Sequence, residues 1–162
     1  MDFVEAQKYV GSHRTEIIET LCNYFNDDTL LFWSDKPDLL AYQKEQWQPF
    51  LNMLNTVFKI DLVTTTTLFP AKNEEAFLQY KKQVETASDK ELTACRIASA
   101  EMKSVLLALL LAKQKISAEE AFNAAFLEEL YQNKFWGEDV AALNARQKSK
   151  DLLQKVEEYL KK

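Results

Sequence analysis

The sequence predicts an all-α protein: a compact multi-helix bundle around a buried central helix, with one extended threonine-rich loop. Three observations carry this expectation. The 162 residues contain only two glycines (Gly11, Gly137) and three prolines (Pro37, Pro49, Pro70), too few to build the turns of a sheet or a phosphate-binding loop. Two Ser-x-x-Glu sequences, Ser88 with Glu91 and Ser117 with Glu120, have the spacing of helix capping boxes. The segment Val105 to Ala112, VLLALLLA, is apolar on every side, so other helices must surround it. With 47% hydrophobic residues the chain can bury a real core, and no repeat or linker divides it, so residues 1–162 are expected to form one domain.

The elements follow in order. Ser12 and Arg14 open a helix whose apolar positions Ile17, Ile18, Leu21, Cys22 and Phe25 recur at three- and four-residue spacing until Asn26-Asp27-Asp28 stops it, so one helix is expected before residue 27. Thr29 to Trp33 reads as an extended connector. Pro37 suits the first turn of the next helix, and Pro49 predicts a kink or restart near Gln46 to Gln48. Four consecutive threonines, Thr64 to Thr67, make Asp61 to Lys72 an extended loop with strand-like pairing. Asn73 is expected to cap a helix through Glu85, and Ser88 a long helix reaching about Lys115. Ser117 starts a helix to about Lys134, with Gly137 suited to a left-handed cap, and Asp139 caps a final amphipathic helix.

Composition removes several function classes. Twenty basic against 25 acidic side chains give a formal charge of −5, with no basic excess for nucleic-acid phosphates. The single histidine, His13, supports neither a catalytic triad nor a multi-histidine metal site. Cys22 and Cys95 lie in apolar stretches without CxxC spacing and read as buried, reduced thiols. His13 and Cys22 fall on opposite sides of one helix and cannot act together. The longest apolar run is far shorter than the roughly 20 residues of a membrane span, and the N-terminus shows no signal pattern. No cofactor, metal or catalytic residue is expected, and the chain is not expected to be an enzyme.

Among several acidic pairs, Glu128-Glu129 stands apart. Steps of 100° put Glu129 in the stripe of Phe122 and Ala125, beside Gln132, and Glu128 beside Ala121 and Ala124. A carboxylate pair on an apolar surface needs a partner: either a lysine or arginine of the same chain, or one on another protein. The aromatics Trp33, Trp47, Tyr131, Phe135 and Trp136 suit a core. Phe135-Trp136-Gly137, a bulky pair before a helix stop, either locks a corner or projects an anchor for another protein.

Leu127-Glu-Glu-Leu-Tyr-Gln132 followed by Trp136-Gly-Glu-Asp139 and Arg146 resembles the C-terminal helical domain of the assembly chaperone for the alpha subunit of the F-type ATP synthase, a mitochondrial and alphaproteobacterial family. Upstream signals agree in order: Asp28-Thr-Leu30, Pro37 and Leu40, then Gln43, Trp47 and Pro49, and Lys103-Ser-Val-Leu-Leu-Ala-Leu109. Trp33 stands where the family usually has an arginine, Ala141 where it often has a glutamate, and the threonine loop lacks its usual glycine. The resemblance implies an ATP-independent chaperone that shields the free alpha subunit until assembly, with no nucleic acid, membrane insertion or small-molecule substrate. It implies partner-binding roles for Glu128, Glu129, Tyr131, Gln132, Trp136 and Asp139. It also implies that residues 1–162 correspond to the family's C-terminal part, without its N-terminal β-rich domain. The compartment would be the cytoplasm of an alphaproteobacterium or the mitochondrial matrix. A helical adaptor of another pathway would share the fold.

Overall fold

A computed structural model describes residues 1–137 and 139–162, and among these the chain is all-α. The helices are α1 (Phe3–Ser12), α2 (Arg14–Asn23), α3 (Pro37–Phe58), α4 (Glu74–Glu85), α5 (Asp89–Met102), α6 (Val105–Ala112), α7 (Ala118–Ala125), α8 (Leu127–Trp136) and α9 (Val140–Leu160), with 3₁₀ turns at Phe25–Asp27 and Thr29–Leu31. All eight residues of α6 are buried, as its sequence requires. Helix α5 packs most extensively against it, α1 and α9 lie on α5, and α7 lies on α9. The two ends of the chain meet, because the Phe3 ring stacks on Tyr159 at 4.8 Å and the Tyr159 hydroxyl bonds Gln7. Both capping boxes form.

The helices are more broken than periodicity predicts, and each break has a distant cause. One helix was expected before residue 27 and there are two, divided at His13, whose ring stacks on Tyr9 and bonds its carbonyl at 2.8 Å. Arg14 then reaches Asp89 at 2.7 Å and the Ala87 carbonyl at 2.9 Å, fixing α2 to the start of α5. The long helix expected from Ser88 to about Lys115 stops at Lys103, which takes a left-handed φ of 53°, and restarts as α6 after Ser104. Residues 28 and 29 occupy that gap: Thr29 bonds the Lys103 carbonyl through its amide (3.2 Å) and hydroxyl (2.9 Å). The helix expected from Ser117 to Lys134 breaks at Phe126 into α7 and α8.

The expected kink at Pro49 does not interrupt α3, which runs unbroken from Pro37 to Phe58. Pro49 and Glu45 both face solvent, so water can take the Glu45 carbonyl that loses its amide partner. The threonine loop does pair: Phe32 and Thr65 form a parallel bridge, with Trp33 N–H to Thr65 O at 2.8 Å and Thr65 N–H to Leu31 O at 2.9 Å. Asn73 sits at the start of α4 but does not cap it; its side chain clamps the Val63 backbone through bonds of 2.7 and 2.9 Å. Gly137 ends α8 with φ 77° and ψ 179°, a backbone that needs glycine but differs from the left-handed helical cap expected.

Asp28 is the polar centre of the interior. Its carboxylate accepts the Leu106 amide at 2.8 Å, the Ser104 hydroxyl at 2.8 Å and the Leu30 amide at 2.9 Å. Burial pushes its pKa up to about 6, against these hydrogen bonds, which pull it down. A folded-state value above the unfolded one means the native state binds more protons between about pH 4 and 6, so this contribution to stability is full at low pH and is lost as pH rises through 6. Replacing Asp28 by alanine leaves buried amides without acceptors and should cost about 2–4 kcal/mol at pH 7 by urea denaturation. The gap between wild type and Asp28→Ala should widen by roughly 2–3 kcal/mol on going to pH 4, and a gap independent of pH would contradict this assignment.

Candidate functional site

Helix α3 sets the position of α8. Gln43 and Trp47, one turn apart on α3, are both fully buried. The Trp47 indole donates to the Ala124 carbonyl at 2.9 Å, a carbonyl that a continuous helix would offer to the amide of Glu128. This coincides with the break at Phe126 and lets α8 leave on its own axis. Gln43 accepts the Ser34 amide at 2.7 Å and donates to Glu128 at 3.0 Å, so one side chain joins the connector, α3 and α8. Tyr131 packs between the rings of Tyr42 (5.4 Å) and Phe135 (5.3 Å), and Lys134 lies over the Tyr42 ring at 5.0 Å.

The break also changes the stripe on which Glu129 was expected to lie, since α7 and α8 are separate helices. Both carboxylates find partners within the chain, Glu128 with Gln43 and Glu129 with Arg146 of α9 at 3.3 Å. The pair is asymmetric: the Arg146 side chain is 6% exposed and that of Glu129 is 55% exposed. Arg146 also makes a further interaction, so it does not depend on Glu129 alone. Glu129 therefore closes the α8–α9 junction with one side of its carboxylate and leaves the other to solvent.

Beyond Glu129 the surface turns apolar. Trp136 is 87% exposed and Phe135 66% exposed at the end of α8, and Val140 and Leu143 are exposed at the start of α9. Trp136 therefore does not lock the corner, and neither it nor Phe135 belongs to the core. Gln132 is exposed on the same helix, and Asp139 is exposed at the start of α9 without bonding its amides. Glu138 lies outside the described residues. Sequence reasoning missed Tyr42 and singled out Gln43 only by resemblance; the buried register of Gln43 with Trp47, four residues apart, was the signal available. It also missed Leu68 (93% exposed) and Phe69 at the tip of the threonine loop.

The arrangement offers contact surface. Among the described residues no group of three or more His, Cys, Asp or Glu could hold a metal, and no helix is long and apolar enough to cross a membrane. Both cysteines are free; burial pushes the Cys95 thiol up to about 12 and raises that of half-buried Cys22.

Comparison with known proteins starts at the N-terminal third. The sequence model described as ATP12 chaperone protein matches residues 1–55. Crystalline Atp12 from Paracoccus denitrificans overlays the chain with a TM-score of 0.89 at 22% identity, covering 96% of this chain and 67% of that one. The chain has the ATP12 chaperone fold. An aspartate-to-lysine variant of the Paracoccus Atp12 matches with the same figures. A candidate chaperone from Agrobacterium tumefaciens overlays with a TM-score of 0.81 at 22% identity, over 96% of this chain and 59% of that one. The stretch matched by the ATP12 sequence model runs through α1, α2 and most of α3, so it includes Asp28, Gln43 and Trp47 and stops before α8. The ATP12 likeness across α8 and α9 is thus one of fold.

Two substitutions separate support from display. Gln43→Leu strands the Ser34 amide and should lower stability by about 1–3 kcal/mol. Glu129→Gln, which keeps an acceptor on an exposed side chain, should cost no more than about 1 kcal/mol. Urea midpoints check both, and a larger loss for Glu129→Gln than for Gln43→Leu would reverse the assignment.

Proposed function

We propose that this protein is an ATP12-type assembly chaperone that binds the free alpha subunit of the F-type ATP synthase and hides its subunit interface until assembly, without consuming ATP. The observation that carries this reading is the exposure of Phe135 and Trp136 at the end of α8 and of Val140 and Leu143 at the start of α9, with exposed Glu128 and Glu129 in the first turn of α8. An unassembled subunit exposes a large apolar patch with a few charges, and an apolar corner with carboxylates on the same helix complements a patch that carries basic residues. The ATP12 sequence match and the ATP12 fold support a chaperone of this type, and the alpha subunit as its client rests on the resemblance carried by Leu127 to Gln132 and Trp136 to Asp139. Within this reading Trp136 is the anchor, Tyr131 and Phe135 shape its base, Glu129 and Glu128 meet basic residues of the alpha subunit, and Gln132 and Asp139 border the contact. Residues 1–162 act as one helical domain, non-enzymatically. The three matched structures come from two bacteria, which favours a bacterial cytoplasm over the mitochondrial matrix.

Capture of unassembled alpha subunit by the purified chain tests this directly. Trp136→Ala should reduce capture at least about tenfold, as truncation of a central aromatic anchor does, while the urea midpoint stays within about 0.5 kcal/mol of wild type. Glu129→Gln, which removes the charge without setting a cation beside Arg146, should weaken capture and leave the fold intact. Added ATP should change neither capture nor release. Unchanged capture by both variants would remove the α8–α9 corner from the interface, and capture of a different protein in preference to the alpha subunit would favour the adaptor reading.

A further inference from the structure

A second surface lies on the face formed by α2 and α5, where an open groove of about 670 Å³ runs between the two helices. Its floor is apolar, made by Ile17 and Leu21 of α2, Ala100 of α5 and Val105 of α6. Along α5 and its C-cap, positions 96, 99 and 100 of the helix and Lys103 just past its end line one wall, with small Ser99 and Ala100 in the middle and the cations Arg96 and Lys103 at the two ends. On the opposite side Glu16 and Asp27 are the charged residues, with Thr20 between them. Tyr9 and Tyr24, both exposed aromatics, complete the rim. The charges are therefore sorted by sign, basic along one wall and acidic along the other. Arg96 rests on the Tyr9 ring at 4.6 Å, but none of the four forms an ion pair with another described residue. By contrast, the nearby Arg14 and Lys113 of the same bundle are paired, with Asp89 and Glu91.

We infer that this groove receives a two-turn amphipathic helix of a partner protein, its apolar stripe on the Ile17, Leu21 and Ala100 floor, its acidic flank against Arg96 and Lys103 and its basic flank against Glu16 and Asp27. The length fits, since seven residues from Arg96 to Lys103 span about 10 Å, two turns of helix. The small residues at the centre of the α5 wall let another helix approach closely. An apolar trough with anchors spaced as i, i+3, i+4 and i+7 is how grooves read helical segments. The two unpaired walls of opposite sign require an occupant that carries both charges, one on each flank, which disfavours a uniformly acidic or basic peptide. This surface uses none of the residues of the α8–α9 corner, and it stands or falls independently of the identity of the client.

The probe is a stapled helical peptide of about 15 residues, fluorescently labelled, with leucines at i, i+3, i+4 and i+7, glutamates along one flank and lysines along the other. Titrated with the full chain, it should give saturable anisotropy. Two peptides with the same leucine stripe and both flanks acidic, or both flanks basic, should bind at least about tenfold more weakly. Ala100→Trp, which fills the trough, and the double variant Arg96→Glu with Lys103→Glu should each weaken binding by at least about tenfold. These positions are exposed, and thermal melts confirm that each variant is folded before its affinity is compared. Absent saturation, equal affinity for the three peptides, or binding that survives Ala100→Trp overturns the proposal. Sedimentation of the chain alone closes the alternative: a dimer that dissociates on Arg96→Glu would assign the groove to a second copy of this protein and likewise overturn it.

Discussion

A helix of eight apolar residues cannot reach water on any side, and its first amides cannot reach water either. Those of α6 begin in the interior, where an unpaired N–H costs about 1–3 kcal/mol. Asp28 and Ser104 meet that demand together, with Asp28 receiving the Leu106 amide and Ser104 the Leu107 amide. Since Asp28 arrives from a turn 76 residues before Ser104, satisfying one helix terminus fixes where the first third of the chain must lie. The break between α5 and α6, the 3₁₀ turn at Thr29–Leu31 and the bridge from Phe32 to Thr65 follow from that placement. Burial raises the Asp28 pKa, so the acceptor carries an energetic cost near neutral pH in return for defining the geometry.

The same logic extends outward to α8. Trp47 and Gln43 are fully buried polar handles on α3, and each is spent on the region where α7 gives way to α8. Their partners are a backbone carbonyl and Glu128, so α3 holds α8 at its first turn, and the last turn carries its largest exposed side chains. That is where Phe135 and Trp136 face solvent. A rigid base with an exposed aromatic end is a suitable way to present an apolar anchor without exposing core. Glu129, tied to Arg146 on one side and open on the other, joins α8 to α9 and keeps a negative charge on the exposed face of α8.

Local signals in the sequence were reliable where the structure is local. The capping boxes at Ser88 and Ser117, the start at Pro37, the all-round burial of Val105 to Ala112 and the pairing of the threonine loop could all be read from spacing and residue type. The first helix could have been read too, since Asp2 caps it through the Val4 and Glu5 amides. What could not be read were the breaks at His13, Lys103 and Phe126, because the groups that meet the chain around the last two, Thr29 and Trp47, are 74 and 77 residues away from the atoms they bond. Asn73 shows the same effect in miniature: the residue type of a cap is present, and a loop segment ten residues earlier takes its side chain instead. For the candidate site, the acidic pair and the aromatic pair were visible as residues. Which of them were tethered and which were exposed depended on α3.

Hydrogen exchange of the chain with and without purified alpha subunit measures where the two proteins meet. The account predicts slowed amide exchange over residues 127–146, the length of α8 and the first turns of α9, with α6 unchanged because it is already enclosed. Slowing confined to other helices, or none at all under conditions where the two proteins co-elute, would contradict the claim that the α8–α9 corner is the surface this fold exists to display.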